Sequence, residues 1–180
     1  MDDRTSQRPY RSARRQAQAE RTRVEIADAA RQLFLTHGWA ATTIRDVARQ
    51  TGVSVPTVYA AYQNKTGLVR ALVDTVDLAA GLPQMLETLA TITDPGHHLT
   101  TLTGYDRRLF ERAGDVIVLI REAGRTEPGL AGFYAQARRG ADETRLQAFS
   151  SWPAGTLRPD LDVPTAVDIY AALCNIDVYT

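Results

Sequence analysis

The sequence holds a single cysteine, Cys174, in 180 residues. That excludes an internal disulfide framework and a multi-cysteine zinc site, and it points to a reducing, cytoplasmic setting. Long apolar runs are missing as well. Stretches such as Val116 to Ile120 fall far short of the roughly 20 residues a membrane span needs. The N-terminus lacks the apolar core of a secretory signal. No glycine-rich phosphate loop stands out, and no Ser/His/Asp, Cys/His or paired-carboxylate constellation. The residues therefore do not read as an enzyme and imply no cofactor and no metal. Strand patterns are scarce too. Twelve glycines and eight prolines are too few for a collagen-like or linker-dominated chain.

What is present is an ordinary globular composition, 44% hydrophobic and 23% charged, in a length that suits one domain or two small ones. The formal net charge is zero, but it is unevenly spread. Residues 1–70 carry 12 basic and 6 acidic groups, and residues 71–180 carry 9 basic and 15 acidic. A basic half beside an acidic half is the pattern of a chain that meets a polyanion with one end.

Residues 1–18 are rich in Arg, Gln and Ser and show no apolar periodicity. They read as a disordered basic arm carrying Arg4, Arg8, Arg11, Arg14 and Arg15. From Ala19 the pattern turns helical. Ile26, Ala30, Leu33, Phe34 and His37 form one stripe, and Gly38 stands where a left-handed residue ends a helix. His37 reads as a capping or partly buried side chain, since no partner lies at ligand spacing.

Thr43 and Asp46 have capping-box spacing at the head of a short second helix, with Ile44, Val47 and Ala48 on its inner face. Thr51-Gly52 ends it. Ser54 is a good N-cap for a third helix, and Pro56 falls in its first turn, where the missing N–H costs nothing. Gln63-Asn64 breaks that helix, and Lys65-Thr66 opens another through Leu68, Val69, Leu72 and Val73. Two short helices joined by a turn containing Gly52 make a helix-turn-helix. Its second helix presents Val55, Pro56, Thr57, Tyr59 and Ala60, small or hydroxyl-bearing side chains suited to phosphates and thymine methyl groups.

Residues Ile26, Ala29, Ala30, Leu33, Phe34, Gly38, Trp39, Thr42, Thr43, Gly52, Val53, Ser54, Thr57, Val58, Tyr59, Tyr62 and Lys65 stand at the right spacings to complete a known pattern. The stretch from Arg23 to Val69 resembles the DNA-binding domain of the TetR family of bacterial transcriptional regulators. The resemblance implies an all-α chain: an N-terminal three-helix helix-turn-helix DNA-binding domain over 19–66, and a C-terminal helical ligand-binding and dimerisation domain over 67–180. It implies a homodimer on a palindromic double-stranded DNA operator, released by a small-molecule effector, with no membrane partner. It implies DNA contacts or turn-ordering roles for Thr42, Thr43, Arg45, Ser54, Val55, Pro56, Thr57, Tyr59 and Lys65. Two positions depart from the pattern: Ala61 stands where the family often has His or Tyr, and Pro56 where Gly is common.

The second half reads as helices over 82–93, 97–113, 115–124, 127–150 and 163–180. The resemblance places the effector cavity here. The apolar residues suggested for it are Met85, Leu89, Leu102, Tyr105, Leu109, Phe110, Ile120 and Phe133. His97-His98 reads as a solvated helix start and Cys174 as a buried structural residue. The helical pattern runs to Thr180 without a cap, so either the chain continues further or the dimer interface is abbreviated. The leading reading is a ligand-responsive repressor. The alternative is a DNA-binding regulator without an effector, controlled by a partner protein or architectural.

Overall fold

The structure, a computed structural model, describes residues 7–179, and every regular element among them is an α-helix. In chain order these are α1 (Gln7–Ala41), α2 (Ile44–Thr51), α3 (Val55–Tyr62), α4 (Lys65–Ala80), α5 (Leu82–Thr91), α6 (Pro95–Ala123), α7 (Pro128–Ser150), α8 (Val163–Leu173) and α9 (Ile176–Tyr179). The chain divides into two compact units, with the boundary between Ala71 and Leu72 inside α4.

In the first unit, the apolar stripe of α1 buries Ile26, Ala29, Ala30 and Phe34 with Ile44, Val47 and Ala48 of α2, Val58 of α3, and Leu68 and Val69 of α4. The backbone of α1 breaks from helical geometry at Gly38 (φ 78°), where the sequence places a left-handed residue. Two expectations need correction. Residues 7–18 are helical rather than a disordered arm. Ala, Arg and Gln dominate 13–18, and strong helix formers extend an existing helix without needing a buried face. Arg14 and Arg15 accordingly sit exposed on α1, while Arg4 lies outside the described residues. His37 is exposed rather than partly buried.

In the second unit, α6 packs on α5, α7 and α9, and α7 packs on α8. Met85, Leu102, Tyr105, Phe149, Val167 and Tyr170 are central to its core. The predicted 97–113 and 115–124 helices are one, α6. Gly114 does not break it, and the missing Cβ admits a neighbour: a Cβ there would come within 2.9 Å of Ile176 Cδ1. The predicted 163–180 helix is two. Cys174 leaves helical geometry, and Asn175 Oδ1 then accepts the Asp177 N–H at 2.8 Å to start α9. Thr180 is outside the described residues.

His98 is 1% exposed, not a solvated helix start. Helix α6 begins earlier, at Pro95, capped by Asp94 accepting from the His97 N–H at 2.7 Å. His98 therefore points inward, one turn into the helix. Its Nε2 is 2.9 Å from the Ile92 carbonyl, and its Nδ1 accepts from Trp152 Nε1 at 2.9 Å. With Trp152 donating to Nδ1, the ring proton must sit on Nε2 and go to Ile92. Cys174 is half-buried, at the edge of the core rather than inside it.

Candidate nucleic-acid interface and ligand cavity

The turn chemistry that shapes the first unit is local. Thr43 Oγ1 accepts the Asp46 N–H at 3.2 Å, and Asp46 Oδ2 accepts the Thr43 N–H at 3.0 Å and the Thr43 hydroxyl at 2.6 Å. These hydrogen bonds, with Arg49 2.5 Å from Asp46 Oδ1, hold the Asp46 carboxyl below its ordinary value of 3.8. Gly52 ends α2 in the left-handed region (φ 70°, ψ 12°), which a glycine enters without steric cost. Ser54 then caps α3 by accepting the Thr57 N–H at 3.3 Å, and the Ser54 and Thr57 hydroxyls are 2.7 Å apart.

This geometry turns Val58 inward, fully buried, and leaves Pro56, Thr57, Tyr59 and Ala60 exposed, with Val55 half-buried. Tyr59 is 49% exposed. Thr43, Arg45 and Ser54 are also at the surface. Together these side chains form a surface of hydroxyls, methyls and one guanidinium on α2 and α3.

Thr42 and Lys65 take contacts within the domain that fit the turn-ordering role. Thr42 is 2% exposed, and its hydroxyl donates to the carbonyls of Leu33 (3.1 Å) and Gly38 (2.9 Å), fastening the kink of α1. The half-buried Lys65 donates its ammonium to the Trp39 carbonyl and lies 4.0 Å from the centroid of the Trp39 ring. Cation–π attraction and a charged hydrogen bond thus tie the start of α4 to the end of α1. A second tie went unread in the sequence. The Tyr62 hydroxyl donates to the Arg23 carbonyl at 2.8 Å, and Arg23 Nη2 donates to the Ala61 carbonyl at 2.7 Å. Its partners are 38 and 39 residues apart, beyond any local pattern.

The second unit contains a cavity of about 410 Å³, within the range of small-molecule sites. Met85, Leu102, Tyr105, Leu109, Phe110, Ile120 and Phe133 line it. Leu89 does not: it lies one turn beyond Met85 on the same face of α5 and packs against the core that Met85 belongs to.

Polar residues in the wall were not anticipated. Asp106 and Arg145, both buried, approach to 3.3 Å, and Tyr170 donates to the same Asp106 oxygen at 2.8 Å. Arg145 also donates to Asp142 Oδ1 at 2.9 Å. Burial pushes the Asp106 carboxyl up, while Arg145 and the Tyr170 hydrogen bond oppose the shift. Burial likewise drives the Tyr170 and Tyr105 hydroxyls up, reinforced by Asp106 and Asp77 respectively, so both remain proton donors. Tyr105 donates to Asp77 Oδ1 at 3.0 Å. Apart from the bond between Arg145 and Asp142, each spans 28 residues or more, so only helix packing reveals it.

Among the described residues no His, Cys, Asp and Glu group has metal-site geometry, and no helix is long and apolar enough to cross a membrane.

Residues 26–72 match the family model for bacterial regulatory proteins of the tetR family. The HTH-type transcriptional repressor ComR of Escherichia coli is 47% identical over 47 residues, covering 26% of this chain and 22% of that protein. The HTH-type transcriptional regulator AlkX of Mycobacterium tuberculosis is 30% identical over 108 residues, covering 60% and 50%. The matches thus span half the length, or less, of these curated relatives. At the level of fold, a transcriptional regulator from Saccharomonospora viridis, solved in complex with choline, superposes with a TM-score of 0.66 at 20% identity. The alignment covers 88% of this chain and 91% of that one. The capped helix-turn-helix and the family match over it identify residues 26–72 as a DNA-binding domain of the kind found in bacterial regulatory proteins of the tetR family, and the all-helical likeness in fold extends along most of the chain.

Proposed function

We propose that the protein is a cytoplasmic, ligand-responsive repressor that binds a palindromic operator as a homodimer and leaves it when a small molecule fills the cavity. The observation that carries this reading is a mostly apolar cavity of about 410 Å³ in the same chain as a capped helix-turn-helix. The 19–66 segment takes the DNA-binding role and the 67–180 segment the sensing and dimerising role. Thr43, Arg45, Ser54 and Thr57 contact phosphates, and Val55, Pro56, Thr57 and Tyr59 approach base edges.

Several features support the assignment. The exposed face of α3 is small enough to enter a major groove. Ile169 and Leu173 of α8 are 47% and 64% exposed, and Leu146 of α7 is also exposed, which suits burial against a second copy. The choline complex of the Saccharomonospora protein of like fold fits a regulator that answers to a small molecule, and the repressor name of ComR fits repression.

The coupling expected between effector and operator is about 1–3 kcal/mol. The test is operator binding by the full chain, with operators selected from random duplex pools, measured with and without compounds that raise its melting temperature. A stabilising compound that weakens operator binding supports the reading. Operator binding that no stabilising compound alters supports a regulator without an effector.

A further inference from the structure

The charged groups in the cavity wall are unevenly matched. Arg145 is held by both Asp106 and Asp142, and Asp106 also accepts from Tyr170. Arg138 is exposed, and its field acts on Asp106. Asp77 has no such cation. Its carboxylate is half-buried, accepts one hydrogen bond from Tyr105, and meets a like charge from Asp74. Its Oδ2 takes no hydrogen bond from any described residue.

We infer that the cavity takes a lipophilic cation, an apolar skeleton carrying one ammonium group, with Asp77 as its counter-ion. This rests on the cavity being the effector site. Closing a neutral apolar ligand over Asp77 would remove water from a carboxylate with one hydrogen bond and leave nothing in its place. An anion would meet Asp77 with the nearest buried guanidinium already doubly engaged. A cation answers the missing partner more strongly than a neutral donor and offsets the repulsion from Asp74. Leu82, Met85, Leu102 and Ile120 give the apolar part its contacts, and the Phe110 and Phe133 rings add faces that attract positive charge.

The test is calorimetric titration of the full chain at neutral pH with octylamine, octanol and octanoate, which share a tail and differ in charge. Octylammonium should bind about tenfold more tightly than octanol, the margin of a charged hydrogen bond over a neutral one. Asp77→Asn should reduce octylamine affinity to the octanol level and leave octanol binding unchanged, so octanol also reports that the variant is folded. Arg138→Ala should leave octylamine binding intact. Equal binding of octylamine and octanol by the wild type overturns the cation assignment but keeps the cavity as a ligand site. Tightest binding of octanoate, lost in Arg138→Ala, overturns it in favour of anions. Binding of none of the three overturns the cavity reading itself.

Discussion

Arg145 and Asp106 face each other inside the second unit at 3.3 Å, both buried, with the Tyr170 hydroxyl 2.8 Å from the same carboxylate oxygen. The three residues come from α7, α6 and α8, so one polar cluster pins three helices together. A buried pair of this kind is costly to break on one side only. Arg145→Met leaves Asp106 without its cation and should destabilise the protein by about 3–5 kcal/mol in urea denaturation. The double variant Arg145→Met with Asp106→Leu should recover most of that loss, since two apolar side chains replace a matched pair.

Asp77 and Asp46 give stability of opposite pH dependence. Burial and Asp74 raise the folded-state value of Asp77, so its ionisation is a cost of folding, present above that value and relieved as the pH falls through it. Asp77→Asn should therefore stabilise the chain at neutral pH, and its advantage should shrink as pH approaches 3.8, the ordinary aspartate value. Asp46 is held low by Thr43, so its contribution is present above 3.8 and lost as pH falls through its lowered value. Urea midpoints of wild type, Asp77→Asn and Asp46→Asn, followed from about pH 3 to about pH 8, separate the two.

Lys65 discriminates between a DNA contact and a turn-ordering role. A phosphate contact contributes about 0.9 to the slope of log affinity against log salt. Lys65 donates instead to Trp39, so Lys65→Met should weaken operator binding and lower the melting temperature while leaving that slope unchanged. Arg45→Ala, at an exposed position on α2, should reduce the slope by about 0.9.

The link between His98 and Trp152 is a stability device. His98 is buried and its two ring nitrogens are engaged by Ile92 and Trp152. Trp152→Phe keeps the stacking on Phe149 (4.2 Å between centroids) but leaves the His98 Nδ1 acceptor buried without a donor. A loss of about 1–3 kcal/mol in urea denaturation is expected.

How legible all this was in the sequence depends on the range of the interaction. The helix-turn-helix is written in contacts three or four residues long: Thr43 with Asp46, Gly52 at a left-handed corner, Ser54 with Thr57. Each residue type at those positions is close to obligatory, so the pattern and the geometry agree. The cavity residues Leu102, Tyr105, Leu109 and Phe110 are legible only through the resemblance, which points to that region; spacing alone does not mark a cavity. What stayed hidden depends on partners from distant helices. His98 looked solvated because Trp152, which buries it, lies 54 residues away. Gly114 looked like a helix break because Ile176, which fills its open side, lies on another element. The N-terminal turns of α1 lack an apolar stripe, and propensity alone left no periodic signal to read.

In the proposed function α3 is the element that reads DNA, and one measurement tests that most directly. Fluorescence anisotropy of a selected operator duplex is followed with wild-type protein and with Tyr59→Ala, across a series of salt concentrations. The wild type should show log affinity falling linearly with log salt, and Tyr59→Ala should bind at least about tenfold more weakly with its melting temperature unchanged. Salt-independent binding, or wild-type affinity in Tyr59→Ala, would contradict the assignment of α3.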